Sequence, residues 1–341
     1  MVKRSILLIA AVLVLALLHA QGAKATQTWD MGSGSVLSSV VWSPKGDCLA
    51  FIAAGDESEE GEHSLLNAGI WTISLAKRGQ PSRPHWLITR TRKQGIPVAL
   101  FWLSNGRLGW AAAHFSEWES TFGFTQMGVS DKKPKRLVNR NFDGVQGTGE
   151  DAGWSAPEDV YFDASSGNLL FSGGILSYGT YVRILHIRDG KVQNLSLPRL
   201  PGESSPDDYL SSVTLWGSLK DFRKPVFYIA ASVNSNTGGM QLWRSDSYSL
   251  KQTKLISTSG SFPRVSPDGK HLAWLEMSGD GKSYGVVIYN LGTGKRRVLA
   301  TLASSWTDSS PGIGCPYSWS PDGKKIAYAD GSRVKIITVR P

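Results

Sequence analysis

Apolar and polar residues alternate in short runs along most of the chain, and a tight-turn sequence follows many of these runs. The segments 41–51, 265–274 and 319–328 match one another closely, each with a Ser-Pro-Asp-Gly type sequence between two apolar runs. Pro presets φ at the first central turn position, Asp bonds its own backbone, and Gly accepts a positive φ. Each segment is therefore predicted to be a strand, a tight turn and a second strand.

Three weaker copies at 102–110, 162–171 and 216–228 bring the number of units to six. The second strand of every unit is predicted to end in an aromatic residue, namely Phe51, Trp110, Phe171, Tyr228, Trp274 and Tyr328. A large ring at one fixed place per unit fits the wedge-shaped gap between radially packed sheets.

Further runs with a period of two predict more strands in each unit. Third strands are predicted at 69–75, 122–129, 181–187, 240–245, 284–291 and 334–339. Fourth strands are predicted at 86–89, 135–138, 192–197, 253–257 and 297–302. Four strands repeated at a period of about 53 residues predict an all-β fold, a six-bladed β-propeller of four-stranded antiparallel blades.

The sixth unit ends with the chain and has no fourth strand of its own. An open sheet edge pairs with other chains, so a folded protein covers it. The spare segment is 26–31, and we expect it to supply the outer strand of the last blade and so close the ring. The alternative is a frayed N-terminal tail.

The N-terminal residues have the pattern of a secretory signal peptide. Lys3 and Arg4 precede an apolar run at 6–18, and Ala23-Lys24-Ala25 follows as a small-residue cleavage site. We therefore predict a signal peptide at 1–25 and a propeller domain at 26–341, with an uncleaved anchor as the alternative. No later segment is apolar enough to cross a bilayer, so the mature protein is expected to be exported, periplasmic or extracellular, and monomeric.

The repeat Trp-Ser-Pro-Asp-Gly-Lys-x-Ile/Leu-Ala-aromatic, complete at 319–328, resembles the repeats of the TolB-like β-propeller superfamily over about 300 residues. The resemblance is to the propeller module, because no room remains after Ala25 for the N-terminal domain of TolB. It implies the fold and says little about activity. Similar propellers cap peptidases of the prolyl oligopeptidase type, but no hydrolase domain is expected beside the six units here.

Charge and chemistry-bearing residues narrow the function classes. Cleavage of the signal peptide removes three of the 37 Lys and Arg residues and leaves a net charge of +6. The remaining cations are scattered between strands, so nucleic acid is not an expected partner. His186 and His271 are interpreted as structural residues, and no motif indicates a metal, a cofactor or a catalytic residue. Cys48 and Cys315 are predicted to be unpaired. The acidic run 56–63 is interpreted as a solvated loop rather than a Ca²⁺ site.

Antiparallel blades sort the connections onto two faces. Turns after first and third strands share one face, here named the turn face. The long connections 54–69, 113–121, 140–157, 198–210 and 303–315 share the other, here named the loop face, which is expected to be acidic. Long loops on one face of a rigid ring commonly carry binding. The candidate binding residues on the loop face are His114, Glu117, Trp118, Glu119, Asp151, Trp154, Tyr209 and Trp306.

Two function classes remain open. The first is an exported, non-enzymatic interaction module that binds a protein or peptide through the loop face. The alternative is a carbohydrate-active propeller enzyme of the lyase or hydrolase type, or a carbohydrate-binding protein. The enzyme hypothesis gains if His114 lines a deep central pocket beside carboxylates or Arg, since lyase chemistry needs a base and charge neutralisation.

Overall fold

Six antiparallel sheets make up the structure of the protein, a computed structural model. It describes residues 27–31, 36–54, 68–75, 83–88, 95–115, 120–143, 157, 159–175, 179–195, 210–216, 226–232, 240–246, 253–279, 283–303 and 314–339. All regular elements in these residues are strands, so they contain no helix that could span a membrane.

The first three blades follow the chain from the inner strand outward. Blade 1 contains β2 (Val36–Trp42), β3 (Cys48–Ala54), β4 (Gly69–Ser74) and β5 (His85–Ile88). Blade 2 contains β6 (Ile96–Trp102), β7 (Leu108–Phe115), β8 (Ser120–Met127), β9 (Lys135–Arg136) and β10 (Phe142–Asp143). Blade 3 contains β11 (Asp159–Asp163), β12 (Asn168–Ile175), β13 (Gly179–His186) and β14 (Lys191–Leu195).

The last three blades complete the ring. Blade 4 contains β15 (Leu210–Trp216), β16 (Val226–Ser232), β17 (Met240–Ser245) and β18 (Thr253–Ser257). Blade 5 contains β19 (Ser261–Val265), β20 (His271–Met277), β21 (Ser283–Asn290) and β22 (Arg296–Ala303). Blade 6 contains β23 (Tyr317–Trp319), β24 (Lys325–Asp330), β25 (Arg333–Thr338) and β1 (Gln27–Asp30). The predicted six-bladed propeller is confirmed.

Blade 2 departs from the predicted pattern at its outer edge. The fourth strand expected at 135–138 is only two residues long as β9, and the chain then returns to the sheet as β10, where Phe142 pairs with Phe122 of β8. The Phe142 ring is buried and stacks on the Phe122 ring at 5.4 Å between centroids. Burial of the Phe142 ring holds β10 against the blade. The long connection therefore begins after Asp143 rather than at Arg140.

The N-terminal strand closes the ring as predicted. β1 pairs antiparallel with β25, with Thr28 opposite Lys335 and Trp29 opposite Val334. Trp29 is the one buried residue of β1, and it packs in a core cluster that joins blade 6 to blade 1, including Leu37 and Phe51. The outer edge of blade 6 is therefore covered by a strand that comes from the other end of the domain.

The aromatic residue at the fixed place of each unit is buried. Phe51, Trp110, Phe171, Tyr228, Trp274 and Tyr328 are all at most 4% exposed. The expectation that the second strands end at these residues is wrong, because each strand continues for two to five residues beyond its ring. The rings sit inside the strands because they fill the gaps between neighbouring blades, where burial of a large aromatic side chain contributes most.

The tight turns have the predicted hydrogen bonds. In blade 6 the Ser320 hydroxyl donates to Asp322 at 2.6 Å, the Lys324 amide donates to the same carboxylate at 3.0 Å, and Gly323 has a φ of +68°. The Ser320 bond, followed by the amide bond, lowers the pKa of Asp322. Neighbouring turns also touch, since a Cβ on Gly323 would lie 3.7 Å from Pro267 Cδ of blade 5. The turns of blades 5 and 6 thus pack against each other on the turn face.

Replacement of Trp29 by Ala tests ring closure. Because the Trp29 indole is buried between blades 6 and 1, its loss is expected to cost about 3 kcal/mol or more of unfolding free energy. Thr28→Ala is the matched control, because Thr28 is exposed on the same strand and its loss should cost little. Urea denaturation measures both values. Equal stability of the two variants would contradict closure by β1.

Candidate functional site

The inner strands surround a central cavity of about 360 Å³. Its wall is formed by residues of blades 1, 2, 3, 5 and 6, with many aromatic side chains among them. Pro44, Ser104, Ala164 and Pro321 lie at one end of the cavity and are exposed turn residues. The cavity therefore opens on the turn face, which is opposite to the face on which the sequence predicts the binding residues.

A buried ion pair joins two sides of the central cavity. Arg264 of β19 donates from both terminal guanidinium nitrogens to Asp159 of β11, at 2.8 Å for the Nη1 bond, and the Arg264 and Asp159 side chains are 15% and 2% exposed. This pair links blade 3 to blade 5, which are not neighbours in the ring. Burial, the largest influence, lowers the pKa of Arg264, but the charge and hydrogen bond of Asp159 together with nearby Cys315 and Tyr317 leave the pKa above its usual value. The Arg264 guanidinium therefore stays charged, and its bonds to Asp159 satisfy it.

Two other reactive groups of the cavity wall are held in their protonated forms. Burial raises the pKa of the Cys315 thiol to about 12, although Arg264 opposes the shift, and the thiol lies 3.1 Å from the carbonyl of Tyr317. Burial also raises the pKa of Tyr317 well above its usual value, and its hydroxyl donates to the Phe262 carbonyl at 2.6 Å. A thiol and a phenol in this state are poor nucleophiles and poor bases.

Residues 314–315 cross the end of the cavity away from the turn face. The Gly314 amide donates to Val98 of blade 2 at 3.0 Å, and Val40 of blade 1 donates to the Cys315 carbonyl at 3.1 Å. A Cβ at position 314 would lie 2.7 Å from Ser39 Oγ, so only glycine allows this approach. The segment that leads into blade 6 therefore forms a floor by bonding to two other blades.

Bulges in the inner strands supply further bonds between blades. Ser39 and Phe262 occupy equivalent places in β2 and β19, four residues before the turn serine, and have φ values of 48° and 52°. The Ser39 hydroxyl accepts a bond of 2.7 Å from the Leu100 amide of blade 2, and the Phe262 carbonyl accepts the Tyr317 bond. Each bulge is thus fixed by a bond to the following blade.

His114 lies away from the central cavity. It is half-buried near the end of β7, opposite Thr121, and a Cβ on Gly95 would lie 2.9 Å from its Cε1 atom. Burial, followed by the charge of Arg136, lowers its pKa. The condition that would have favoured the enzyme hypothesis, a His114 that lines the central pocket, is therefore not met.

The structure describes only His114 among the eight predicted binding residues. Glu117, Trp118, Glu119, Asp151, Trp154, Tyr209 and Trp306 lie outside the described residues. Sequence reasoning also missed the cavity, although one signal was present. Arg264 precedes Val265 at a position that is Val41 in blade 1 and Ser318 in blade 6, so a cation there departs from the repeat.

The described His186 and His271 lie at strand ends, and the two cysteines are unpaired. His186 ends β13, and His271 begins β20, where its ring lies 6.3 Å from that of Trp319. Cys48 and Cys315 are free and buried, as predicted. Among the described residues, no three His, Cys, Asp or Glu side chains are grouped to hold a metal ion.

Comparison with known proteins shows the fold alone. No family model and no curated protein sequence matches the chain. Among solved structures, oligogalacturonate lyase in complex with manganese aligns over 94% of this chain and 95% of its own, with a TM-score of 0.50 and 10% identity. TolB from Acinetobacter baumannii aligns over 92% of this chain and 65% of its own, with a TM-score of 0.47 and 14% identity. A prolyl endopeptidase aligns over 90% and 43%, with a TM-score of 0.44 and 12% identity.

The chain has a propeller scaffold that solved proteins of different activities also use. Identities of 10–14% carry no information on substrate or partner, so the function must be argued from the residues of this chain.

Replacement of Asp159 by Asn tests the cross-channel pair. The change leaves the buried Arg264 cation without its counter-ion and is expected to cost about 3–5 kcal/mol of unfolding free energy. The double variant Asp159→Leu/Arg264→Met removes both charges and should recover most of that loss. Urea denaturation of both proteins checks the pair. A single variant as stable as the wild type would show that the two groups do not pair.

Alkylation tests whether the thiols of Cys48 and Cys315 are protonated in the folded protein. The pKa values of about 11 for Cys48 and about 12 for Cys315, both raised mainly by burial, leave almost no thiolate at pH 8. Iodoacetamide should therefore modify neither thiol in the folded protein and both in urea, as mass spectrometry would show. Rapid labelling of Cys315 in the folded protein would contradict this assignment.

Proposed function

We propose that this chain is an exported, non-enzymatic binding propeller whose loop face engages a protein or peptide. The observation that carries the non-enzymatic part is the pairing within the central cavity. Arg264, Asp159 and the Tyr317 hydroxyl each bond to another blade, and the Cys315 thiol is held protonated. These groups are engaged in holding the ring together, so chemistry on a substrate would have to break the contacts that position them.

The topology supports the choice of the loop face. β3, β7 and β22 end at Ala54, Phe115 and Ala303, and β15 begins at Leu210, all on that face. The connections that carry the predicted aromatic and acidic residues therefore begin and end on one side of a rigid ring. A scaffold that fixes the loop ends lowers the entropy cost of ordering a binding surface.

The amino-terminal residues support export. The charged, apolar and small-residue sections at 1–25 match a secretory signal, and β1 begins at Gln27, with only Thr26 between it and the predicted cleavage site. Cleavage would thus release the strand that closes the ring without removing any of its residues.

Variants on the two faces test the proposal against a partner captured from the native exported fraction and then purified. Trp118→Ala and Trp154→Ala should each weaken binding by about 2 kcal/mol, roughly thirty-fold, if these rings anchor the partner. Charge reversal within 56–62 should alter binding mainly at low salt. The matched control is Lys132→Glu/Lys133→Glu, which changes two exposed residues of the turn face.

Two results would overturn the proposal. The first is normal binding by both Trp variants together with loss of binding in the Lys132/Lys133 control. The second is release of unsaturated products from a uronate polysaccharide by the purified chain, abolished by His114→Ala.

A further inference from the structure

The first strand of the chain enters the ring from the turn face. The turn between β24 and β25 follows a second strand, so β25 runs from the loop face towards the turn face and ends there at Thr338. β1 runs antiparallel to β25, and its first residue, Gln27, lies opposite Ile336, two residues before that end. Residues 1–26 therefore join the propeller on the side of the turn face.

The apolar run at 6–18 belongs to this preceding segment. It is expected to enter a bilayer, either as a signal peptide or as the alternative, an uncleaved anchor. Because β1 starts at the turn face in both cases, the propeller faces that bilayer with its turn face.

The turn face carries unbalanced positive charge. Five exposed lysines of blades 2, 5 and 6 lie in its turns or at the first residue of the strand that follows, and they are here named the turn-face lysines: Lys132, Lys133, Lys135, Lys295 and Lys325. None of them forms an ion pair in the described part of the chain. Asp131, the carboxylate beside the blade 2 lysines, is already paired with Arg107 at 2.7 Å.

The exposed carboxylates that the structure describes on this face are compensated locally. Asp47, Asp268 and Asp322 each accept a hydrogen bond of 2.6–2.7 Å from the serine hydroxyl of their own turn, and each turn also contains a lysine. Asp189 and Asp246 form ion pairs with neighbouring cations. The turn-face lysines are therefore an excess over these carboxylates.

The positions of the turn-face lysines indicate the shape of their partner. Six blades in ring order place blade 2 opposite blade 5, so the lysines lie on both sides of the central cavity. A compact anion cannot contact both sides at once, whereas a planar charged surface can. The described turns between first and second strands contain only four or five residues each, so none of them projects far from the turn face.

We propose that the turn face rests on the surface of an anionic phospholipid bilayer. The turn-face lysines lie against the headgroups, and the loop face is directed away from the membrane. Each lysine near such a surface favours binding by about five-fold, so stable association needs several together. This surface is independent of the partner proposed for the loop face, and either can fail without the other.

Sedimentation with vesicles measures the contribution of charge. The mature chain without residues 1–25 retains every described strand, and it cannot bind by insertion of the apolar run. It should bind vesicles of equal parts phosphatidylglycerol and phosphatidylcholine, and salt should release it because exposed charges are screened. Vesicles of phosphatidylcholine alone should not bind it.

Two pairs of lysines on opposite sides of the ring test for a planar surface. Lys132→Gln/Lys133→Gln and Lys295→Gln/Lys325→Gln should each lower binding to the anionic vesicles about thirty-fold, because each removes two cations. Arg140→Gln/Arg333→Gln is the matched control, since it removes two exposed cations that lie away from the turn face. It should lower binding less than about three-fold. Melting temperatures equal to that of the wild type check that the variants fold.

Lysine acylation of the full chain, read by mass spectrometry, measures the orientation. The apolar run should hold the full chain in both kinds of vesicle, but the turn-face lysines should be protected only on the anionic ones.

Four results would overturn the proposal. They are equal binding of the mature chain to neutral and anionic vesicles, equal acylation of the turn-face lysines in both, and a control variant as weak as the lysine pairs. The fourth is an effect of only one of the two lysine pairs, which would indicate a compact anion instead of a membrane.

Discussion

The pairing of β1 with β25 is the constraint on which the rest of the structure depends. Six blades packed around an axis meet one another at every seam only if the last blade is complete and the first blade packs against it. Trp29 contributes to both conditions, because it lies on the strand that completes blade 6 and in the core cluster shared with blade 1. A four-residue strand thus fixes the position of two blades that lie at opposite ends of the chain.

Closure has a direct consequence at the axis. Once the ring is complete, groups from distant parts of the sequence face one channel and must be satisfied there. Asp159 and Arg264 neutralise each other across it, and residues 314–315 bond to blades 1 and 2. Such bonds hold the blades together, while burial keeps the Cys315 thiol protonated. These polar groups of the axis therefore hold the ring together.

The sequence was sufficient to predict the features that each unit encodes locally. The turn from Ser320 to Gly323 and the buried ring of Tyr328 depend on residues close together in the chain, and they recur in every closely matched copy. The closing strand could be predicted from the number of strands, because the sixth unit has only three and its outer edge needs a partner. The second strands were predicted too short, since their far ends carry no turn residue that marks a boundary.

The central cavity could not be predicted in the same way. Arg264 and Asp159 are separated by more than a hundred residues, and their pairing depends on the closed ring that brings β11 and β19 to the same cavity. The loop-face residues other than His114 remain predictions, because they lie outside the described part of the chain.

Native-state hydrogen exchange of the β1 and β25 amides tests ring closure most directly. If β1 is an integral strand, the hydrogen-bonded amides of Gln27–Asp30 and Arg333–Thr338 should exchange only with global unfolding, at the same free energy as those of β24. Exchange of these amides at a much lower free energy than that of β24 would show that the N-terminal segment frays independently, and it would contradict closure of the ring by β1.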